Sequence, residues 1–124
     1  MQQPNGFTQG MPVSSDCIFC KIAAGDIPCR KVYEDDDLIV FHDINPVAPV
    51  HFMIVPKEHI VSLADANPRH EQLLGRILLL APVLAKEQGL DDGFRTIINT
   101  GRGGGQEVMH LHVHVMGGGH LRPM

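Results

Sequence analysis

Three histidines alternate with apolar residues in the segment His110-Leu111-His112-Val113-His114-Val115-Met116. An imidazole has an ordinary pKa of about 6.5, so near neutral pH it can serve as nucleophile, hydrogen-bond donor, proton carrier or metal ligand. Alternation with period two marks a half-buried strand, in which residues i, i+2 and i+4 leave on one face. The three rings are therefore expected on one side, with Leu111, Val113 and Val115 in the core. Just upstream lies Asn99-Thr100-Gly101-Arg102-Gly103-Gly104-Gly105-Gln106, whose glycines let backbone N–H groups approach an anion closely. Imidazoles beside such a loop point to chemistry on a phosphate. One metal ion held by all three rings fits poorly, because on a straight strand the Cα atoms of His110 and His114 are about 13 Å apart at roughly 3.3 Å per residue. A glycine-rich loop alone is an ordinary hairpin connection, and its adjacency to the histidines is what sets it apart.

Several elements must position these groups. Residues 1–14 are polar and rich in Gly, Pro and Gln, and read as a flexible arm; residues 15–124 read as one domain. Ser15 or Asp16 can cap a short helix that runs to about Ala24 and ends at Gly25. Residues 31–34 and 38–42 form a hairpin across Asp35-Asp36-Asp37, and residues 52–55 a third strand. Asn45-Pro46 and Ala48-Pro49 force an irregular link between the second and third strands. Pro68 suits the first turn of a long helix capped by Asn67, with Gly89 past its end. Pro82 is expected to kink or interrupt that helix. Leu73, Leu74, Ile77, Leu78, Leu80, Ala81 and Leu84 make an apolar face broad enough to imply burial on more than one side, as at a subunit interface. Residues 94–99 and 110–115 complete five strands. Strands around one long helix predict an α+β sandwich with an antiparallel sheet.

Composition narrows the classes. The chain has 124 residues, 44% hydrophobic and 19% charged, which is globular rather than disordered. A formal charge of −4 argues against a nucleic-acid binder, which normally shows a basic face. No apolar run approaches the roughly 20 residues that span a membrane, and no basic start with an apolar core marks a secretory signal. Three cysteines, an odd number, make no disulfide framework. The reading is a cytoplasmic protein without membrane or nucleic-acid partners.

Residues 110–116 fit the His-φ-His-φ-His-φ-φ signature (φ apolar) of the histidine triad family. Cys17-Ile18-Phe19-Cys20-Lys21-Ile22, Phe41-His42-Asp43-Ile44, His51-Phe52-Met53-Ile54-Val55-Pro56-Lys57-Glu58-His59 and Gly104-Gly105-Gln106-Glu107-Val108 also resemble family segments in family order. The resemblance runs from about residue 16 to the end. It lies nearest the nucleotide-binding branch, the purine nucleoside phosphoramidases of bacterial type. It implies the histidine triad fold, a five-stranded antiparallel sheet with two helices, joined across a homodimer. It also implies roles. His112 is the nucleophile that forms a transient nucleotidyl-histidine. His110 and His51 orient it and relay protons, and His114 donates a hydrogen bond near the leaving group. Asn99 binds a phosphate oxygen through its side chain, and Gln106 of the same loop counts among the nucleotide-binding residues. Gly105, Glu107 and Val108 offer backbone amides. Glu107 stands where animal members commonly have serine, and its side chain is expected to face outward. Asp43 anchors the ribose. Ile18, Phe19, Ile22, Phe41, His42 and Ile44 resemble the purine pocket, although plain core packing would use many of them equally well.

The Cys17-x-x-Cys20 pair adds an open choice. Residues i and i+3 share a helix face, and several relatives use such a pair with two histidines, here His59 and His110, to hold structural zinc. A Cys₂His₂ set has suitable tetrahedral chemistry, yet the nearest relatives often lack both cysteines and need no cofactor. A thioredoxin-like redox role lacks its βαβ context. Two functional classes thus remain. One is a hydrolase of purine nucleoside phosphoramidates of AMP-like or aminoacyl-adenylate type. The other is a nucleotide-binding interaction module, with zinc as a stabiliser, in which hydrolysis is incidental. The tail after Gly117-Gly118-Gly119 is short and lacks the tryptophan of animal relatives, so their substrate preferences do not transfer.

Overall fold

The computed structural model describes residues 16–124; the expected arm, residues 1–14, and Ser15 lie outside them. Five strands form one antiparallel sheet in the order β1-β2-β3-β5-β4, with β1 Lys31–Glu34, β2 Leu38–His42, β3 Val50–Pro56, β4 Arg95–Ile97 and β5 Val113–Gly117. Helix α1 spans Ile18–Ala23 and α2 spans Glu71–Glu87. Asp35 makes the first hairpin, its Oδ1 accepting the backbone N–H of Asp37 and of Leu38 at 2.8 Å each.

Alternation along the strands sorts side chains to two faces. Leu38, Val40, Phe52, Ile54, Val113 and Val115 meet Ile77, Ala81, Leu84 and Ala85 of α2 in the larger core. Ile39, Phe41, Met53 and Val55 meet Phe19, Cys20 and Ile22 of α1 in a smaller one. Burial of a large apolar side chain contributes about 1.5–3 kcal/mol, so the α2 face carries most of the stability and the thinner α1 face is left for chemistry.

Four expectations need correction. Cys17, not Ser15 or Asp16, caps α1, its sulfur accepting the N–H of Cys20. The third strand starts at Val50 and so includes His51, which pairs with Met116 in register. The fourth and fifth strands are shifted or shorter than expected: β4 is only Arg95–Ile97, and β5 begins at Val113, so His110, Leu111 and His112 precede it. Helix α2 passes through Pro82 without interruption. Pro82 is exposed and its missing N–H would have bonded Leu78, itself on an exposed side, where water can satisfy the freed carbonyl. Asn67 and Pro68 do open the helical segment, as a 3-10 turn with a capping box leading into α2. Among the described residues no helix is long and apolar enough to cross a membrane.

Candidate active site

The histidines gather at the α1 side of the sheet, and backbone groups set their proton positions. Val47 N–H donates to His51 Nδ1 at 3.2 Å. That nitrogen is an acceptor, so neutral His51 carries its proton on Nε2. His51 Nε2 lies 2.9 Å from His114 Nδ1, so His51 donates there and His114 keeps its own proton on Nε2. Asp43 Oδ2 stands 3.4 Å from His51 Nε2 and 3.9 Å from His114 Nδ1, while its Oδ1 accepts the N–H of Asn45. Burial pushes the His114 pKa down to about 4, with His112 and His51 adding to the shift and Asp43 opposing it. Burial also lowers that of His51, again against Asp43. Both rings are therefore neutral at pH 7.

His112 is 7% exposed. Its Nδ1 lies 2.7 Å from the His110 carbonyl oxygen. A carbonyl only accepts, so His112 carries a proton on Nδ1, and the neutral ring presents an unprotonated Nε2. Its ring packs edge-on against Phe19 at 5.1 Å and His114 at 4.9 Å. The His110 ring is turned elsewhere. Its Nε2 donates to the Pro56 carbonyl at 2.7 Å, and its Nδ1 faces Cys17 Sγ at 3.2 Å, Cys20 Sγ at 3.6 Å and His59 Nδ1 at 3.2 Å. Its role as a ring relay behind His112 is thus not supported by geometry, since both ring nitrogens point away. His51 likewise touches His114 rather than His112.

The loop is built differently from expectation. Gln106 is only 5% exposed. Its Oε1 accepts Gly101 N–H at 2.8 Å, and its Nε2 donates to the carbonyls of Val61 at 2.7 Å and Val108 at 3.0 Å. Its own N–H bonds Gly101 O. Gln106 is therefore a staple that shapes the loop and has no N–H left to offer a phosphate. The Gly105 N–H is also taken, by Arg102 O, in a turn where Gly105 sits at φ 84°, a region that favours glycine. The amides of Glu107 and Val108 have no partner among the described residues, and the Glu107 side chain is exposed. Asn99 is half-buried, with its backbone 3.9 Å from where a Gly104 side chain would begin.

Phe19, Ile22 and Phe41 are buried and mutually packed, Phe19 meeting Phe41 edge-on at 5.4 Å. Ile18 is 47% and Ile44 90% exposed, so they form an open apolar rim. Register places His42 opposite Phe52, whose side chain joins the α2 core. This sets His42 on the other side of the sheet from Phe41, because neighbours in a strand point to opposite faces.

Two side-chain groups have metal-ligand composition. In a tetrahedral zinc site, ligand nitrogens lie about 3.4 Å apart and nitrogen and sulfur about 3.6 Å, given the usual bond lengths. The spacings of 3.2, 3.3, 3.6 and 3.2 Å among Cys17, Cys20, His59 and His110 match that frame. The outer nitrogen of His110 also donates to a carbonyl, as metal-bound histidines usually do. These residues fit zinc. Asp43, His51 and His114 do not, because the Val47 N–H occupies the outer nitrogen of His51 as a donor and leaves no place for the proton a bound imidazole keeps there.

Sequence reasoning did not find Val47, Pro56 or Gln106 in these parts: the bonds to Pro56 and from Gln106 to Val61 span distant segments, and the nearer ones use a backbone group that any residue type could supply. Glu58 was also missed. It ties Arg69 and buried His70 (Nε2 at 3.0 Å) to the segment carrying His59.

A family model described as "Scavenger mRNA decapping enzyme C-term binding" matches residues 16–123. The chain belongs to the histidine triad family. It is 59% identical over 102 residues to the protein HitA of Neisseria gonorrhoeae, covering 82% of this chain and 95% of that one. It is 48% identical over 106 residues to a 14 kDa zinc-binding protein of Zea mays, with 84% and 83% covered. It is 44% identical over 113 residues to a purine nucleoside phosphoramidase of Escherichia coli K12, with 90% and 95% covered. The structure of a histidine triad protein from Clostridium difficile superposes with a TM-score of 0.87 at 49% identity, covering 90% and 98%.

The histidine protonation pattern has a consequence for stability. Unfolded His114 titrates near 6.5 and folded His114 near 4, so between these values only the unfolded chain binds the proton. Stability is then full above about pH 6.5 and declines as pH falls toward 4. Urea unfolding across this range is expected to show the decline in wild type and a shallower one in His114→Asn; equal slopes would contradict it.

Proposed function

We propose that this protein hydrolyses the P–N bond of purine nucleoside phosphoramidates, releasing nucleoside monophosphate and amine. The observation that carries the reading is the bond from His112 Nδ1 to the His110 carbonyl, which leaves Nε2 of the neutral ring free, beside a His114 whose Nδ1 accepts from His51 and whose proton is therefore on Nε2. In this reading His112 Nε2 attacks phosphorus and the P–N bond breaks as the N–P bond forms. The His114 Nε2–H hydrogen-bonds the departing nitrogen, which leaves as the amine after taking a proton from solvent. The imidazole of the intermediate is cationic, and the His110 carbonyl dipole at Nδ1–H stabilises the charge as it develops. Water then attacks phosphorus, releases a proton to solvent and returns neutral His112.

Asn99 and the amides of Glu107 and Val108 hold the phosphate oxygens, and Asp43 the ribose hydroxyls. The base lies on Phe19 and Phe41 between the exposed Ile18 and Ile44. Cys17, Cys20, His59 and His110 hold a structural zinc ion, and the relative from Zea mays supports this choice by its name. The E. coli relative supports the substrate class in the same way. A homodimer would cover Leu78, Leu79 and Val83 of α2, of which Leu79 is 75% exposed.

Turnover of an adenosine phosphoramidate with a fluorogenic amine is expected for wild type and lower by on the order of 10³-fold or more in His112→Ala, with AMP affinity largely kept. AMP binding without turnover in wild type would instead favour the interaction module. Metal analysis of untagged protein is expected to find one zinc per chain, and a metal-free folded protein would remove the zinc assignment. Sedimentation should give a dimer that Leu79→Lys dissociates; a monomeric wild type would rule the dimer out.

A further inference from the structure

His110 faces two ways at once. Its ring lies among Cys17, Cys20 and His59, and its carbonyl, in the same residue, receives the proton of His112 Nδ1 at 2.7 Å. A second connection runs through α1. Phe19 lies between Cys17 and Cys20 in sequence and packs edge-on against His110 at 5.8 Å, His112 at 5.1 Å and Phe41 at 5.4 Å. Helix α1 has six residues, far below the roughly 12–15 at which a helix holds itself in water. Its placement depends on the groups at its ends and on the small core beneath it.

We propose that His110 is a positioning residue through which the Cys17, Cys20, His59 and His110 metal centre aligns the nucleophile. Metal at the ring adds to the bonds that already hold His110, from its ring to Pro56 O, from its N–H to Val108 O and from the Leu111 N–H to Ile60 O, and the carbonyl so aligned selects the one neutral His112 tautomer that leaves Nε2 free to attack. Through Phe19 the same centre sets the wall against which the base lies. Losing the metal removes the shared coordination that ties the His110 ring to Cys17, Cys20 and His59, and leaves the bond to Pro56 as its one strong anchor. The Leu111 N–H of the same peptide stays bonded to Ile60 O at 2.7 Å, so the carbonyl tilts rather than swings. The tilt lengthens its bond to His112 Nδ1 and lets the tautomer with its proton on Nε2, which lacks a free attacking nitrogen, gain population. The proposal rests on the phosphoramidate reading only for its kinetic consequence. Its structural core concerns the tautomer of one ring.

The test is ¹⁵N imidazole spectroscopy of histidine-labelled protein at one fixed pH near 8, with thermal melting followed in parallel. It compares zinc-loaded wild type, metal-stripped wild type, His59→Asn, and wild type loaded with the larger cadmium ion. His59→Asn removes one ligand while leaving every residue of α1 and His110 itself unsubstituted. Zinc-loaded protein is expected to show His112 as a single Nδ1–H tautomer. Stripped protein and His59→Asn should show His112 shifts averaged between tautomers. In both, kcat should fall about tenfold or more while KM moves by less than about threefold, since a small misplacement of reacting atoms costs mainly rate. If the stripped protein and His59→Asn unfold, cadmium keeps the fold and should still move the His112 signals. Unchanged His112 signals in folded metal-free protein, or in the cadmium form when only that form is folded, would overturn the proposal. A tautomer that tracks the metal in a wild type without turnover would sink the phosphoramidate reading and leave the coupling standing.

Discussion

The bond from His112 Nδ1–H to the His110 carbonyl is the constraint on which the site depends. A neutral imidazole has one donor and one acceptor, so fixing the first decides the second. The same device recurs around the sheet. Val47 N–H fixes His51, Asn67 N–H fixes His70, and the Pro56 carbonyl fixes His110. Pro56 ends β3, Asn67 caps a turn, and Val47 and His110 lie in the bends that lead into β3 and β5, so the fold itself sets the protonation order. Burial then keeps His51, His110 and His114 neutral by disfavouring their cations. A metal-free nucleophile needs this combination of a dry pocket and a prescribed tautomer.

The sheet separates stability from chemistry. Its α2 face holds the larger apolar core. Its α1 face places His51, Met53 and Val55 of β3 beside His114 of β5, with a helix too short to stand alone completing the wall. The antiparallel register that sets His114 opposite Met53 also puts His114 diagonal to His51, within hydrogen-bond reach. A slip of one residue would carry every one of these side chains to the α2 side, so the large core guards the site's geometry at a distance.

Much of this was legible in the residues. The alternating histidines, the hairpin around Asp35, the capped start near Asn67 and the five-stranded sheet follow from periodicity and turn chemistry. Strand ends did not, because β5 begins only where Ile54 finds Val113 across the sheet, a long-range event. The functions of Gln106 and His110 were misread for a related reason. A glutamine after glycines looks available for a ligand, and a histidine in a triad looks like a relay. Only the folded loop shows that both side-chain N–H donors of Gln106 are taken by Val61 and Val108 while its oxygen holds Gly101. Tertiary contacts show likewise that the His110 ring belongs to the cysteines. The continuity of α2 through Pro82 was also out of reach, since it turns on which side of the helix meets water.

The central claim is that His112 Nε2 forms a covalent bond to phosphorus. Its most direct measurement is to stop a turnover of adenosine phosphoramidate with denaturant at alkaline pH and map the protein by mass spectrometry. A nucleoside monophosphate adduct on His112, absent from His112→Ala, is the predicted result. Turnover that proceeds with no adduct, or with an adduct on another residue, would contradict it.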